Sequence, residues 1–128
     1  MCSMRVAAAL FFLVVCLQMQ GCHHSSDPYL IEVIIQPNAA GRGEEAFSPN
    51  PAIVAIGGRI VWINSDAVTH TVAGNAKEGP CAFDSEEIAP GGTFSRRFSE
   101  AVECTYFCRL HGQAMRGRLE VGTPQAHP

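Results

Sequence analysis

The sequence has no cluster of basic residues and no apolar segment long enough to cross a bilayer. Its 128 residues include 9 Lys+Arg against 12 Asp+Glu, which gives a formal net charge of −3. Because nucleic-acid-binding domains present a basic patch or stripe, the absence of one argues against a nucleic-acid partner. Internal repeats, coiled-coil heptads and low-complexity blocks are also lacking, so repeat and fibrous architectures are excluded.

The longest apolar run, residues 6–17, follows a short segment with one positive charge. A membrane-spanning helix takes ~20 apolar residues, so this run suits the hydrophobic region of a secretory signal instead. It ends at Gly21-Cys22, similar to the lipobox of bacterial lipoproteins, in which the cysteine becomes the lipidated N-terminus. We predict a signal peptide over residues 1–21, a lipid on Cys22, and a periplasmic or cell-surface location on a bacterial membrane. Cleavage at a nearby ordinary signal-peptidase site and an uncleaved anchor are the alternatives.

The remaining chain divides into a polar tether (22–28), one domain (29–122) and a flexible tail (123–128). Short β-branched runs bounded by glycine and proline turns recur through the domain at the spacing typical of a sandwich. We predict an all-β, antiparallel Greek-key sandwich of seven to eight strands and no helix. The predicted strands are 30–35, 53–56, 59–64, 69–72, 93–98, 104–108 and 116–121. The segment Arg59–Asn64 is apolar enough to be buried on both faces.

Four residues carry the donor atoms of a mononuclear copper site. His70 lies in a β-prone stretch, and Cys108, His111 and Met115 follow one another near the end of the domain. Two histidines and one cysteine in a trigonal plane, with a weak axial methionine, form the ligand set of electron-transfer copper sites. We therefore predict that these four residues bind one copper ion.

Two other metal sites use some of the same residue types. Zinc requires four strong ligands, and the thioether of Met115 is a poor one. The pair Cys104 and Cys108 has the cysteine spacing of a dinuclear purple copper centre, but the residues between them are predicted to form continuous strand. At ~3.3 Å per residue, that strand would hold the two sulfurs roughly 13 Å apart. Sulfurs that share a copper pair must lie much closer, so a mononuclear site is favoured.

Three cysteines fall within the folded domain: Cys81, Cys104 and Cys108. Export places them in an oxidising compartment, where disulfides form and persist. With the Cys108 thiolate committed to copper, the simplest resolution is a disulfide between Cys81 and Cys104.

The order and context of these residues resemble the cupredoxins, in particular the plastocyanin, amicyanin and pseudoazurin group. The resemblance is strongest in 61–72 (VWINSDAVTHTV) and 106–117 (YFCRLHGQAMRG). It implies a type 1 (blue) copper protein that carries single electrons and is not an enzyme. The spacing from Cys108 to Met115 falls between those of amicyanin-like and plastocyanin-like loops, and Gly112 stands where proline is frequent. Met115 is therefore the ligand that the resemblance specifies least.

The resemblance also implies roles for residues around the ligands. The Thr71 hydroxyl would tie the His70 strand to the Cys108 loop. The second histidine, His111, would reach the surface inside an apolar patch formed by Ala67, Val68, Gly112 and Ala114. We expect a monomer that exchanges electrons there with redox proteins, either a cytochrome or another copper protein.

Two other functions compete with electron transfer. A copper carrier or delivery protein would use additional exposed histidines or methionines, for which His23, His24 and His127 are the only candidates. A copper enzyme would need a second, catalytic metal with further histidine ligands. One domain of this size with three spare histidines does not supply that site.

Overall fold

The computed structural model of the protein describes residues 27–123. Eight strands form two four-stranded sheets, with one 3₁₀ turn at Glu44–Ala46. In chain order the strands are β1 (Leu30–Ile35), β2 (Phe47–Ser48), β3 (Ala52–Ala55), β4 (Arg59–Asn64), β5 (Ala73–Gly74), β6 (Thr93–Arg97), β7 (Val102–Cys108) and β8 (Gly112–Gly122). The predicted all-β sandwich is confirmed.

The two sheets are mixed, which differs from the antiparallel pairing that we predicted. The first has the order β2-β1-β4-β6 and the second β3-β8-β7-β5, and the pairs β1–β4 and β3–β8 are parallel. Parallel neighbours need a crossover connection of a dozen or more residues. The segment between β1 and β4, which contains the 3₁₀ turn, β2 and β3, provides such a connection.

The core lies between the sheets and is built around one aromatic cluster. Trp62 of β4 is fully buried, and its ring centroid lies 5.5 Å from that of Phe94 on β6 and 5.5 Å from that of Tyr106 on β7. Phe83 and Phe47 extend the cluster through further ring contacts. Offset and edge-to-face contacts of this kind stabilise a core beyond the area that they bury.

Two segments differ from the predicted strands. Only alternate residues of Arg59–Asn64 are buried, so β4 has one solvent-facing side and is not enclosed on both faces. The predicted strand 69–72 is irregular and makes a single bridge, between His70 and Ile88. Two of its backbone amides donate to side chains and not to a neighbouring strand. The Thr71 N–H donates to the Cys108 sulfur, and the Val72 N–H donates to the Ser85 hydroxyl.

Cys81 and Cys104 form a disulfide, with their Cα atoms 5.4 Å apart, and Cys108 is a buried free thiol. The predicted disulfide is therefore present. No helix within residues 27–123 is long and apolar enough to cross a membrane. The predicted signal peptide, Cys22 and the three terminal histidines lie outside the described residues.

Candidate metal centre

Three of the predicted ligands meet at one end of the sandwich. His70 lies on the segment between β4 and β5, Cys108 ends β7, and His111 lies in the turn that leads into β8. That turn is short because Cys108 pairs directly with Gly112 across the hairpin, and the His111 N–H donates to the Cys108 carbonyl at 3.2 Å. Gly112 has a positive φ of 58°, which glycine adopts without steric cost. The turn thus holds His111 beside Cys108.

The donor atoms have the spacing of a metal site. Cys108 Sγ lies 3.8 Å from His70 Nδ1 and 3.4 Å from His111 Nδ1. All three donor atoms lie within 4.8 Å of one another. With metal–sulfur and metal–nitrogen bonds of ~2.3 and ~2.0 Å, a trigonal plane places sulfur and nitrogen roughly 3.7 Å apart. The residues present therefore fit a first-row transition metal, and a thiolate with two imidazoles suits copper.

Met115 lies on β8, with its side chain fully buried. Gly43 secures the backbone on both sides of it, since the Gly43 N–H donates to Ala114 O at 2.7 Å and the Arg116 N–H donates to Gly43 O at 3.1 Å. These two bonds hold the backbone around Met115 in place. Met115 lies on the strand that begins at Gly112, directly after His111. Its role as the axial ligand stays a prediction.

A buried carboxylate that the sequence analysis did not single out contacts the first ligand. Asp66 Oδ2 lies 2.7 Å from His70 Nε2, and both side chains are buried. Hydrogen bonds from His70 and from the amides of Asn38, Ala67 and Ala39 outweigh the effect of burial and hold the pKa of Asp66 well below its ordinary value. An ionised carboxylate can only accept, so His70 carries its proton on Nε2. Its Nδ1, which lies 3.8 Å from Cys108 Sγ, is then the nitrogen available to bind a metal.

Asn64, at the end of β4, fixes the loop that carries Asp66 and His70. Its side-chain amide donates to Val68 O and to Ile88 O, both at 2.9 Å, and its side-chain oxygen accepts the Asp66 N–H at 3.0 Å. The signal for these residues is in the sequence, because a metal-bound histidine almost always donates its other N–H to a carboxylate or carbonyl. Asp66, four residues before His70, is one candidate for that acceptor in the sequence, and the loop conformation shows that it is the one used.

Thr71 makes the connection predicted for it. Its hydroxyl accepts the Arg109 N–H at 2.8 Å and lies 3.8 Å from Cys108 Sγ, and its amide donates to the same sulfur at 3.3 Å. Hydrogen bonds to the cysteine sulfur are among the features that set the potential of such sites. Arg109 further joins this loop to the 83–88 segment through a two-pronged ion pair with Asp84, at 2.8 and 3.0 Å.

Exposed apolar residues lie on the loops that carry His70 and His111. His111 itself is half-buried, and its ring centroid lies 5.1 Å from that of His70, so the two ligand loops are adjacent. Of the predicted patch residues, Ala67, Val68 and Ala114 are exposed and Gly112 is half-buried. Leu110, which the sequence analysis left out, is 51% exposed. It directly precedes His111 in the chain and adds an exposed apolar side chain to the same loop.

A sequence model of the copper-binding proteins of the plastocyanin/azurin family matches residues 36–122. The chain belongs to the plastocyanin/azurin family of copper-binding proteins. A plastocyanin from Capsella bursa-pastoris is 31% identical over 101 residues, which covers 71% of this chain and 99% of that protein. A plastocyanin from Scenedesmus fuscus is 28% identical over 90 residues, or 64% of this chain and 92% of that protein.

Solved structures share the fold. A reduced Cu(I) amicyanin variant superposes with a TM-score of 0.59 at 26% identity, over 77% of this chain and 86% of that one. A purple cupredoxin from Nitrosopumilus maritimus has a TM-score of 0.62 at 24% identity, over 71% of this chain and 98% of that one. With the family and the His70, Cys108 and His111 cluster together, the protein is a cupredoxin that holds one type 1 copper and carries electrons.

Proposed function

We propose that this cupredoxin is an exported, lipid-anchored carrier that passes single electrons through His111 to redox protein partners. The observation that carries the proposal is a buried ligand set with one half-buried member, His111, and exposed apolar residues on the same loops. The partners would be a cytochrome or another copper protein, and the carrier would act as a monomer without catalysis of its own.

Each ligand has a separate part in the proposal. Cys108 would hold the copper through its thiolate, and His70 and His111 would hold it through imidazole nitrogens. Met115 would add its thioether as a weak fourth ligand. When bound, copper alternates between Cu(II) and Cu(I) and so supplies the electron that is transferred.

The apolar patch supports brief encounters with a partner. Val68 and Leu110 are 49% and 51% exposed and carry no charge. Redox encounters generally bury small interfaces. Four residues of this patch carry no charged group: Ala67, Val68, Leu110 and Ala114. A partner that covers them on its approach to His111 therefore does not have to remove water from a charged side chain at these positions.

Competing functions lack support from the described residues. Copper delivery calls for further exposed soft ligands, yet Met115 is the only methionine in residues 27–123 and it is buried. An enzymatic role calls for a second copper, and the same part of the chain offers one group with metal-binding spacing. Export and lipid attachment are supported by the apolar run over residues 6–17 and by Gly21-Cys22 after it.

The test is a visible and EPR spectrum of the copper-loaded protein. We expect an intense visible band and a narrow copper hyperfine splitting, both lost in Cys108→Ser while the fold persists by circular dichroism. Thr105→Ser, an exposed position on the same strand, is the matched control and should keep both signals. A colourless protein that retains zinc, or a Cys108→Ser variant that keeps the band, would contradict the proposal.

A further inference from the structure

The end of the sandwich opposite the metal centre has an exposed apolar cluster of its own. Tyr29, Leu30 and Ile56 are 50%, 47% and 37% exposed. Strand β1 runs from Leu30 at this end to Ile35, which pairs with Asn64 beside the metal-binding loop. Six extended residues span roughly 17 Å, so the cluster and the copper lie at opposite poles.

The turn between β3 and β4 holds these side chains together. The Ala55 N–H donates to Pro28 O at 2.9 Å, and the Arg59 N–H donates to Tyr29 O at 2.8 Å. Ile56 lies in the turn between these two bonds. Tyr29, Leu30 and Ile56 therefore belong to one surface and are not scattered apolar residues.

Two arginines lie beside this cluster. Arg59 of β4 pairs directly with Arg97 of β6, and Leu30 of β1 pairs with Arg59, so the three form one row on the exposed face of the sheet. Like charges directly opposite each other on neighbouring strands repel. Within residues 27–123, neither arginine has an ion-pair partner. Arg97 also donates to Gly57 O at 3.1 Å, which holds its side chain against the turn.

Three acidic residues lie near this pair: Asp27 precedes β1, Glu32 lies on β1, and Glu100 lies in the loop after β6; within residues 27–123 none of them forms an ion pair with Arg59 or Arg97. Asp27 accepts the Tyr29 N–H at 2.9 Å. Glu32 lies on the same face as Arg59, one row further along β1. Together with Tyr29 and Ile56, the row of Leu30, Arg59 and Arg97 thus combines two positive charges that have no ion pair in residues 27–123 with apolar side chains and a tyrosine. Tyrosine and basic side chains favour the boundary between lipid head groups and acyl chains.

The tether determines what can reach this face. Pro28 and Tyr29 lead into it, and the proposed lipid on Cys22 is only a few residues upstream. A fully extended chain spans at most ~3.6 Å per residue, so seven residues cannot hold this end more than roughly 25 Å from the membrane. The copper end, at the far pole of β1, is further from the anchor.

We propose that Tyr29, Leu30, Ile56, Arg59 and Arg97 form a docking face for an anionic phospholipid surface. The arginines would contact lipid phosphates, and the apolar side chains and Tyr29 would enter the head-group region. The inference rests on the proposed lipid anchor at Cys22. Docking in this orientation points His111 away from the bilayer, toward partners that project from it.

The test is hydroxyl-radical footprinting of the full, copper-loaded, lipidated protein in vesicles. Vesicles with phosphatidylglycerol are compared with vesicles of phosphatidylcholine alone. Leu110 is the internal control, because its exposure of 51% matches the 47% of Leu30 at the opposite pole. Two arginines near an anionic surface should shift the docked fraction by on the order of tenfold. Oxidation of Tyr29 and Leu30 should therefore slow in anionic vesicles, while that of Leu110 should not change.

Arg59→Gln combined with Arg97→Gln should restore the oxidation rates seen in neutral vesicles. The double variant removes a repulsive pair, so it should fold at least as stably, which thermal unfolding checks. Equal protection of Tyr29 in both vesicle types, or protection of Leu110 in place of Leu30, would overturn the docking face. The docking face would also be overturned if Tyr29 and Leu30 became protected without lipid as the protein concentration rises. That result would indicate that a second protein molecule covers the face.

Mass spectrometry of Cys22 tests the anchor separately. If Cys22 carries no lipid, the anchoring proposal fails. The docking face is then tested by itself, by footprinting the Cys22→Ser variant with a high concentration of anionic vesicles. Protection of Tyr29 there supports the face, and its absence refutes it.

Discussion

Replacing Asp66 with Asn should raise the reduction potential of the copper. The carboxylate accepts the Nε2 proton of His70 at 2.7 Å, on the opposite side of the imidazole from the donor Nδ1. Its charge would act on the metal over roughly 7 Å, where two unit charges interact by a little over 2 kcal/mol at an effective dielectric constant of ~20. Cu(II) has one more positive charge than Cu(I), so the carboxylate stabilises the oxidised state.

The expected shift follows from that energy. A one-electron potential changes by ~59 mV for each 1.4 kcal/mol, and asparagine keeps a hydrogen-bond acceptor, so we expect a rise on the order of 50–100 mV. Cyclic voltammetry measures it. The matched control is Asp84→Asn, which removes a carboxylate that is 40% exposed and touches no ligand, and should shift the potential far less. A potential in Asp66→Asn that is unchanged or lower would refute the reasoning.

The same residue gives a pH dependence in the copper-free chain. The pKa of Asp66 is lowered in the folded state, so its contribution to stability is complete above its unfolded value of ~3.9 and is lost as the pH falls toward the folded value. Asp66→Asn should therefore lower the free energy of unfolding by about 2 kcal/mol at pH 7. Urea unfolding should show a smaller difference from the wild type at pH 3. A difference that is constant with pH would assign the loss to packing.

Two further predictions concern the ligand set and the surface above it. Met115→Leu should keep copper bound and raise the potential, because loss of a weak axial donor destabilises Cu(II) more than Cu(I); an unchanged potential would exclude Met115 as the axial ligand. Leu110→Asp should slow electron self-exchange, measured by NMR line broadening, without changing the visible spectrum. Ile53→Asp, at a residue 59% exposed on another part of the surface, is its control, and equal slowing in both variants would contradict a specific docking patch.

The sequence was sufficient for the strands whose pattern is local. β1 and β4 begin and end where the apolar, β-branched runs and the flanking turns predict, although β4 buries one face in place of the predicted two. The two-residue strand β2 was not predicted, since so short a segment has no periodicity. Parallel pairing of β1 with β4 was also missed, because hydrophobic alternation specifies which face is buried but not which strand lies alongside.

Side-chain hydrogen bonding explains the errors nearest the site. The segment 69–72 has β-prone residues, but the Thr71 and Val72 amides donate to Cys108 Sγ and to Ser85 Oγ. These acceptors are distant in sequence, so propensity alone could not anticipate them. Asp66 was not predicted because it is not a member of the ligand set and contacts the site only through His70. The spacing of an acid four residues before a histidine acquires meaning only after the loop conformation is known.

The three clustered ligands are held by three independent parts of the fold. Asp66 orients His70, Thr71 bonds the sulfur of Cys108, and the tight pairing of Gly112 places His111. Each of these contacts holds a different ligand. A change in the oxidation state of the copper therefore need not move the three ligands together. Side chains fixed by packing and hydrogen bonds keep a site near one geometry. We expect these contacts, which lie outside the ligand set, to limit the change in geometry on electron transfer, and Asp66 is the one of them that also carries a charge.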